Sequence, residues 1–168
     1  GPKDLMELCY TCGAIMLEQA HIVKTHEEGL KMLEDAIESG RAFDKFLKFI
    51  KAQGGDVEYI LHPEKFELAK HIVEVRSSSQ GYIQKINALE IGESAMRLGA
   101  GRATLEDVID MSAGIVLTKK VGDYVLENEE LVKVYLNSND INVKEILDCF
   151  IIEDSSVEKK PLIYEIIK

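Results

Sequence analysis

Gly114-Ile-Val-Leu-Thr-Lys-Lys-Val-Gly-Asp-Tyr-Val125 is the stretch on which the fold turns. Its β-branched opening suits a strand, Val121-Gly-Asp123 offers the backbone angles of a tight turn, and Tyr124-Val125 resumes extended texture. The reading is a β-hairpin with strands over 114–119 and 124–125. The same texture, β-branched runs separated by Gly, Asn and Asp, spreads in both directions from about His71. It predicts further strands at 72–76, 82–89, 131–136, 150–152 and 162–167. Two helices interrupt them, one over 90–98 and one over 142–149 with Val143, Ile146 and Leu147 on one side.

Upstream the period changes. Leu5, Leu8, Cys12, Ile15, Met16 and Ala20 recur at spacings of three and four, which predicts a helix with those residues on its buried face and Asp4 as its N-cap. Thr25-His-Glu-Glu28 has capping-box spacing and announces a second helix with the stripe Leu30, Leu33, Ala36 and Ile37. Gly40 marks a turn. Ala42, Phe43, Phe46, Phe49 and Ile50 define a third helix ending at Gly54-Gly55, and Pro63 opens a short helical stretch. Helices first and then a mixed, mainly antiparallel sheet with inserted helices make an α+β fold. The predicted boundary separates a helical segment, 1–62, from a second domain, 63–168.

The 168 residues carry 20 Lys and Arg against 30 Asp and Glu, a formal charge of −10. Binding to a polyphosphate backbone draws on clustered cations that release counterions, so nucleic acid is not an expected partner. No apolar stretch approaches the ~18–20 residues a helical membrane span needs, and no basic-then-apolar leader is visible. A membrane is therefore not an expected partner either. Three cysteines, Cys9, Cys12 and Cys149, are too few for a disulfide scaffold and suit a reducing compartment. The expectation is a soluble cytoplasmic protein.

Cys9-Tyr-Thr-Cys12 is the most tempting chemical signal, since a CxxC pair can cycle as a disulfide or hold zinc. A redox CxxC usually opens a helix after a strand, whereas this one sits inside a predicted helix, so both thiols read as core or near-core residues. Adding His21 and His26 writes out a zinc-finger-like pattern, but a continuous helix would hold Cys12 and His21 about 13 Å apart along its axis. No metal site is expected. His62 and His71 are isolated in the sequence, and no Ser/His/Asp or Cys/His order suggests nucleophilic catalysis.

Leu98-Gly-Ala-Gly-Arg102 carries more information, because two glycines around one small residue let backbone approach a ligand, with an arginine alongside. The alternative reading is a helix C-cap followed by a turn. Glu106, Asp107 and Asp110 invite a metal, although Thr104-Leu-Glu-Asp107 has the spacing of a capped, solvated turn. Gly81-Tyr-Ile and the segment 114–135 resemble the two halves of a biotinyl or lipoyl domain. The carrier lysine motif is missing, so what remains is a barrel-sandwich strand arrangement of α/β-hammerhead type without a covalent cofactor.

Taken together, the motifs resemble the C-terminal part of bacterial pyrimidine-nucleoside phosphorylases. Those that carry the likeness are Gly1-Pro-x-Asp-Leu5, Gln53-Gly-Gly-Asp56, Ser79-Gln-Gly-Tyr82, Ile91-Gly92, Ala95-Met-Arg-Leu-Gly-Ala-Gly-Arg102, Thr104-x-Glu-Asp107, Ile109-Asp110 and the run 114–123. The resemblance implies a homodimeric cytosolic enzyme of nucleoside salvage. It would convert uridine or thymidine and phosphate reversibly to the base and a pentose 1-phosphate, with no metal or organic cofactor. Family members are much longer, and their Lys-His-Ser-Thr-Gly-Gly phosphate loop and their pyrimidine-holding Arg, Ser and Lys have no counterpart here. The segment 1–62 would then be the end of a large α/β domain, and the chain would hold no catalytic residue and be inactive alone. Gly99, Gly101 and Arg102 become candidates for a mobile, cleft-facing loop in which Arg102 supports closure. The alternative expectation is a stand-alone barrel-sandwich interaction module without enzymatic activity.

Overall fold

A computed structural model of the chain describes residues 1–138, 141–158 and 160–167. It divides into two units: Gly1–Lys65 together with the C-terminal residues from Lys160, and Phe66–Lys159.

The first unit is helical. Helix α1 spans Lys3–Gln19, α2 His26–Glu38, α3 Arg41–Ala52 and the single turn α4 Glu58–Leu61, with a 3₁₀ turn at Pro63–Lys65. Helix α1 starts two residues earlier than an N-cap at Asp4 predicts, because the Met6 amide donates to the Pro2 carbonyl at 3.0 Å, so Pro2 is the cap and Asp4 lies in the first turn. The capping box at α2 forms: Thr25 Oγ1 accepts from the Glu28 amide at 3.2 Å, and Glu28 Oε2 accepts from the Lys24 amide at 2.8 Å. The carboxylate thus reaches one residue further back than the idealised box. Helix α3 ends in a Schellman motif. Gly54 takes φ 79°, its amide donates to Lys51 and the Gly55 amide donates to Ile50.

The packed face of α1 is not the predicted one. Ala14 is buried, and a Cβ on Gly29 of α2 would fall 2.9 Å from the Ala14 Cα and Cβ. A Cβ on Gly13 would meet Leu33 at 2.8 Å. The two helices approach through small residues, and that close approach turns Leu5, Leu8 and Met16 outward within the unit. Cys9 and Cys12 are exposed with them, which corrects their reading as core residues. The apolar Leu162, Ile166 and Ile167 form no strand, against expectation. Their composition suits a strand, but a strand needs a ladder partner, and no described strand pairs with them.

The second unit is built on two three-stranded antiparallel sheets. One has the order β1 (His71–Arg76), β5 (Glu130–Leu136), β3 (Gly114–Leu117). The other has the order β4 (Tyr124–Val125), β2 (Gly81–Ile86), β6 (Phe150–Glu153). The α+β expectation holds, with every pairing among the described strands antiparallel rather than mixed. Both sheets contribute to one core of Val75, Ile83, Val125, Leu131, Val132, Val134, Leu136 and Phe150, joined by Ile146 and Cys149. The central strand β5 supplies four of these, each worth about 1.5–3 kcal/mol relative to exposure.

The predicted hairpin at Val121-Gly-Asp123 is a turn but not a hairpin, since β3 pairs with β5 and β4 with β2. Gly122 does take φ 86°, and Lys120 and Asp123 close the turn. Its outward groups, however, bond to β2: the Gly122 amide donates to the Ile83 carbonyl at 2.8 Å, and the Ile83 amide to Asp123 at 3.0 Å. The chain therefore crosses from one sheet to the other. Strand β2 ends at Ile86 rather than 89, because the Asn87 amide donates to Cys149 and α5 (Ala88–Ala95) begins. That helix runs into a π turn, Met96–Ala100, and α6 spans Val143–Asp148 behind an Asn142 cap.

Candidate functional site

The segment from Gly99 to Ser112 gathers every candidate residue of the second unit. Within the π turn that follows α5, helical geometry breaks at Gly99, whose φ of 103° lies where side chains are strained. Gly101 is extended, and a Cβ on it would meet Met96 at 3.3 Å. The two glycines thus serve a C-cap and a close approach to the preceding turn. Arg102 is exposed, and its guanidinium makes no hydrogen bond or ion pair to a described residue.

Beyond Arg102 the loop is stapled by its own carboxylates. Asp107 Oδ2 accepts from the amides of Ala103 at 2.8 Å and Thr104 at 2.9 Å, while Oδ1 accepts from Thr104 Oγ1 at 2.9 Å. The Thr104–Asp107 spacing marks a solvated turn, with the acid doing the capping. These bonds, the Thr104 amide foremost, hold the Asp107 carboxyl below its ordinary range. Asp110 Oδ1 accepts from the Ser112 amide at 3.0 Å and from Ser112 Oγ at 2.7 Å. Asp110 Oδ2 accepts from Asn137 Nδ2 at 2.6 Å. The Ser112 hydroxyl first and Asn137 second hold the Asp110 carboxyl low as well.

Asn137 is the residue that sequence reasoning missed. Its Nδ2 also donates to Ser112 Oγ at 2.8 Å, and its Oδ1 accepts from the Lys70 amide at 2.8 Å. It therefore joins the loop to the end of β5 and the lead-in of β1. No local spacing could have found it, since the partners lie 27 and 67 residues away. Arg97 was missed too. Its guanidinium meets Ser94 at 3.3 Å, Glu93 at 3.7 Å and Glu145 of α6, beside a recess of about 160 Å³. With two carboxylates on the guanidinium, this recess is poorly suited to holding an anion.

The remaining sequence candidates stay apart. Among the described residues no group of three or more His, Cys, Asp or Glu is placed to hold a metal ion. His26 faces Glu18 at 3.8 Å, and His62 lies 3.2 Å from Glu64 and 3.9 Å from Glu58, so His62 is not isolated. Cys149 is buried, and burial pushes its thiol up, away from reactivity. No helix of the described residues is long and apolar enough to cross a membrane.

A profile of the pyrimidine nucleoside phosphorylase C-terminal domain matches residues 82–151, which run from β2 to β6 and include the whole loop. Pyrimidine-nucleoside phosphorylases of Staphylococcus aureus and Staphylococcus epidermidis are 44% identical to the chain over 168 residues, covering 99% of it. The chain spans 39% of the length of those relatives. Residues 82–151 thus match the pyrimidine nucleoside phosphorylase C-terminal domain, and the chain along its length is similar to the C-terminal part of pyrimidine-nucleoside phosphorylases.

Proposed function

We propose that the chain forms the C-terminal part of an enzyme that reversibly phosphorolyses pyrimidine nucleosides, uridine or thymidine. A phosphate oxygen bonds to the anomeric carbon as the bond to the pyrimidine nitrogen breaks. The products are a pentose 1-phosphate and the base, which takes up a proton. The observation that supports this most is the 44% identity across 99% of the chain to proteins bearing that name. Such chemistry calls for positioning and charge stabilisation rather than a cofactor. The enzyme would work in the cytoplasm as a homodimer.

In this reading Gly99–Asp110 lies at the mouth of a substrate cleft completed by the longer enzyme, and Arg102 supports closure over the substrates. The exposed guanidinium of Arg102, without a partner among the described residues, favours that role. The chain contains no Lys-His-Ser-Thr-Gly-Gly phosphate loop, so alone it would be inactive. The test is release of uracil or thymine from uridine or thymidine with phosphate. The isolated chain should show no turnover, and near-normal turnover would sink the claim of inactivity. In a longer enzyme carrying this sequence, Arg102→Ala should raise KM severalfold, and unchanged kinetics would reject the closure role. If the longer enzyme itself performs no phosphorolysis, the phosphorolysis proposal fails and the interaction-module reading takes its place.

A further inference from the structure

We infer that Asp110 and Asn137 form a clamp that holds residues 99–112 as one preformed strap, released at its base rather than bent at its glycines. The ends of the strap are tied to each other, because the Asp110 amide donates to the Gly99 carbonyl at 2.9 Å. They are tied to the sheet as well, because Asn137 bonds Asp110, Ser112 and the Lys70 amide together. Inside the strap, the three bonds accepted by Asp107 fix the turn at 103–107.

Burial contributes little to holding it. Leu105 is 89% exposed, and Val108 and Met111 are each 90% exposed, so of the large apolar side chains between 102 and 112 only the half-buried Ile109 adds packing. What remains is polar. Asp110 has all its acceptor contacts at the base, and Asn137 uses both its amide hydrogens and its carbonyl there. Loss of that one pair leaves the inner staple intact while freeing both ends. The glycines, in contrast, are committed: Gly99 to the helix end and Gly101 to its approach to Met96. Asp110 and Asn137 are thus positioning residues for whatever the strap presents, Arg102 included. Only the link to substrate closure rests on the phosphorylase reading; the clamp itself does not.

The test uses the full 168-residue chain without substrate, so a chain inactive toward uridine still reports on the clamp. Amide hydrogen exchange and limited tryptic cleavage after Arg102 are the readouts. Asn137→Asp sets two carboxylates against each other, and Asp110→Asn sets two amides against each other. Each should speed exchange at the Asp110 amide tenfold or more and accelerate cleavage after Arg102, with the β1–β5 amides unchanged. The double exchange, Asp110→Asn with Asn137→Asp, again faces a donor with an acceptor and should recover most of the protection. Asp107→Asn should loosen the amides of Ala103 and Thr104 but not Asp110. The inference is overturned if the single variants leave the strap unchanged, or if the sheet amides accelerate equally. It also fails if Asp107→Asn frees Asp110 as much as the clamp variants do.

Discussion

Gly81 shows most directly how one missing side chain carries a fold. Its φ is 147°, and a Cβ there would fall 2.6 Å from the Glu153 carbonyl oxygen of β6. Gly81→Ala should cost about 2–4 kcal/mol, combining backbone strain with overpacking. Urea denaturation checks this, and a loss below one kcal/mol order would show that β6 yields easily. Asp107 and Asp110 make the opposite kind of contribution, through charge. Both are held below the ordinary aspartate value of 3.8, so their stabilising effect is present above it and lost as pH falls through the still lower folded values. Exchange protection in the loop, corrected for intrinsic rates, should therefore stay level around neutral pH, begin to fall as the opened-state carboxyls titrate around the ordinary value of 3.8, and keep falling in stronger acid. A decline near neutrality would contradict the hydrogen-bond assignments.

At the scale of elements, capping and packing separate cleanly. Thr25 caps α2 from an exposed position, so Thr25→Ala should cost about 1 kcal/mol by loss of the hydroxyl acceptor. Leu136 is 1% exposed at the end of the central strand, and Leu136→Ala should cost about 2–5 kcal/mol through lost burial and the cavity left behind. Measured unfolding free energies that fail to rank the two in this order would mean that β5 is not the centre of the core. The cap was legible because Thr25 and Glu28 are neighbours in the chain. The partners of β3 and β4 were not. A Gly-Asp turn is compatible with a hairpin or with a crossing between sheets, and only the bonds from Gly122 and Asp123 to Ile83 select the crossing.

For the molecule as a whole, the second unit has its own core. Residues 66–158 produced alone should keep the protected amides of β1, β5 and β3, checked by hydrogen exchange; collapse to unprotected chain would show that the core needs residues outside it. Local sequence was enough for the α+β class, the order of the helices and of the strands as far as β6, the caps of α2 and α3, and a family likeness spread over many short motifs. These are local properties, set by periodicity, glycine angles and neighbouring side chains. Tertiary structure alone decided three things. It chose the small-residue face of α1, because close approach at Ala14 and Gly29 outweighs the stripe of large apolar residues. It left 162–167 without a ladder partner among the described strands. And it brought Asn137 to Asp110 and Lys70, since contacts between distant residues follow from how the strands pair and leave no mark in the spacing of either segment.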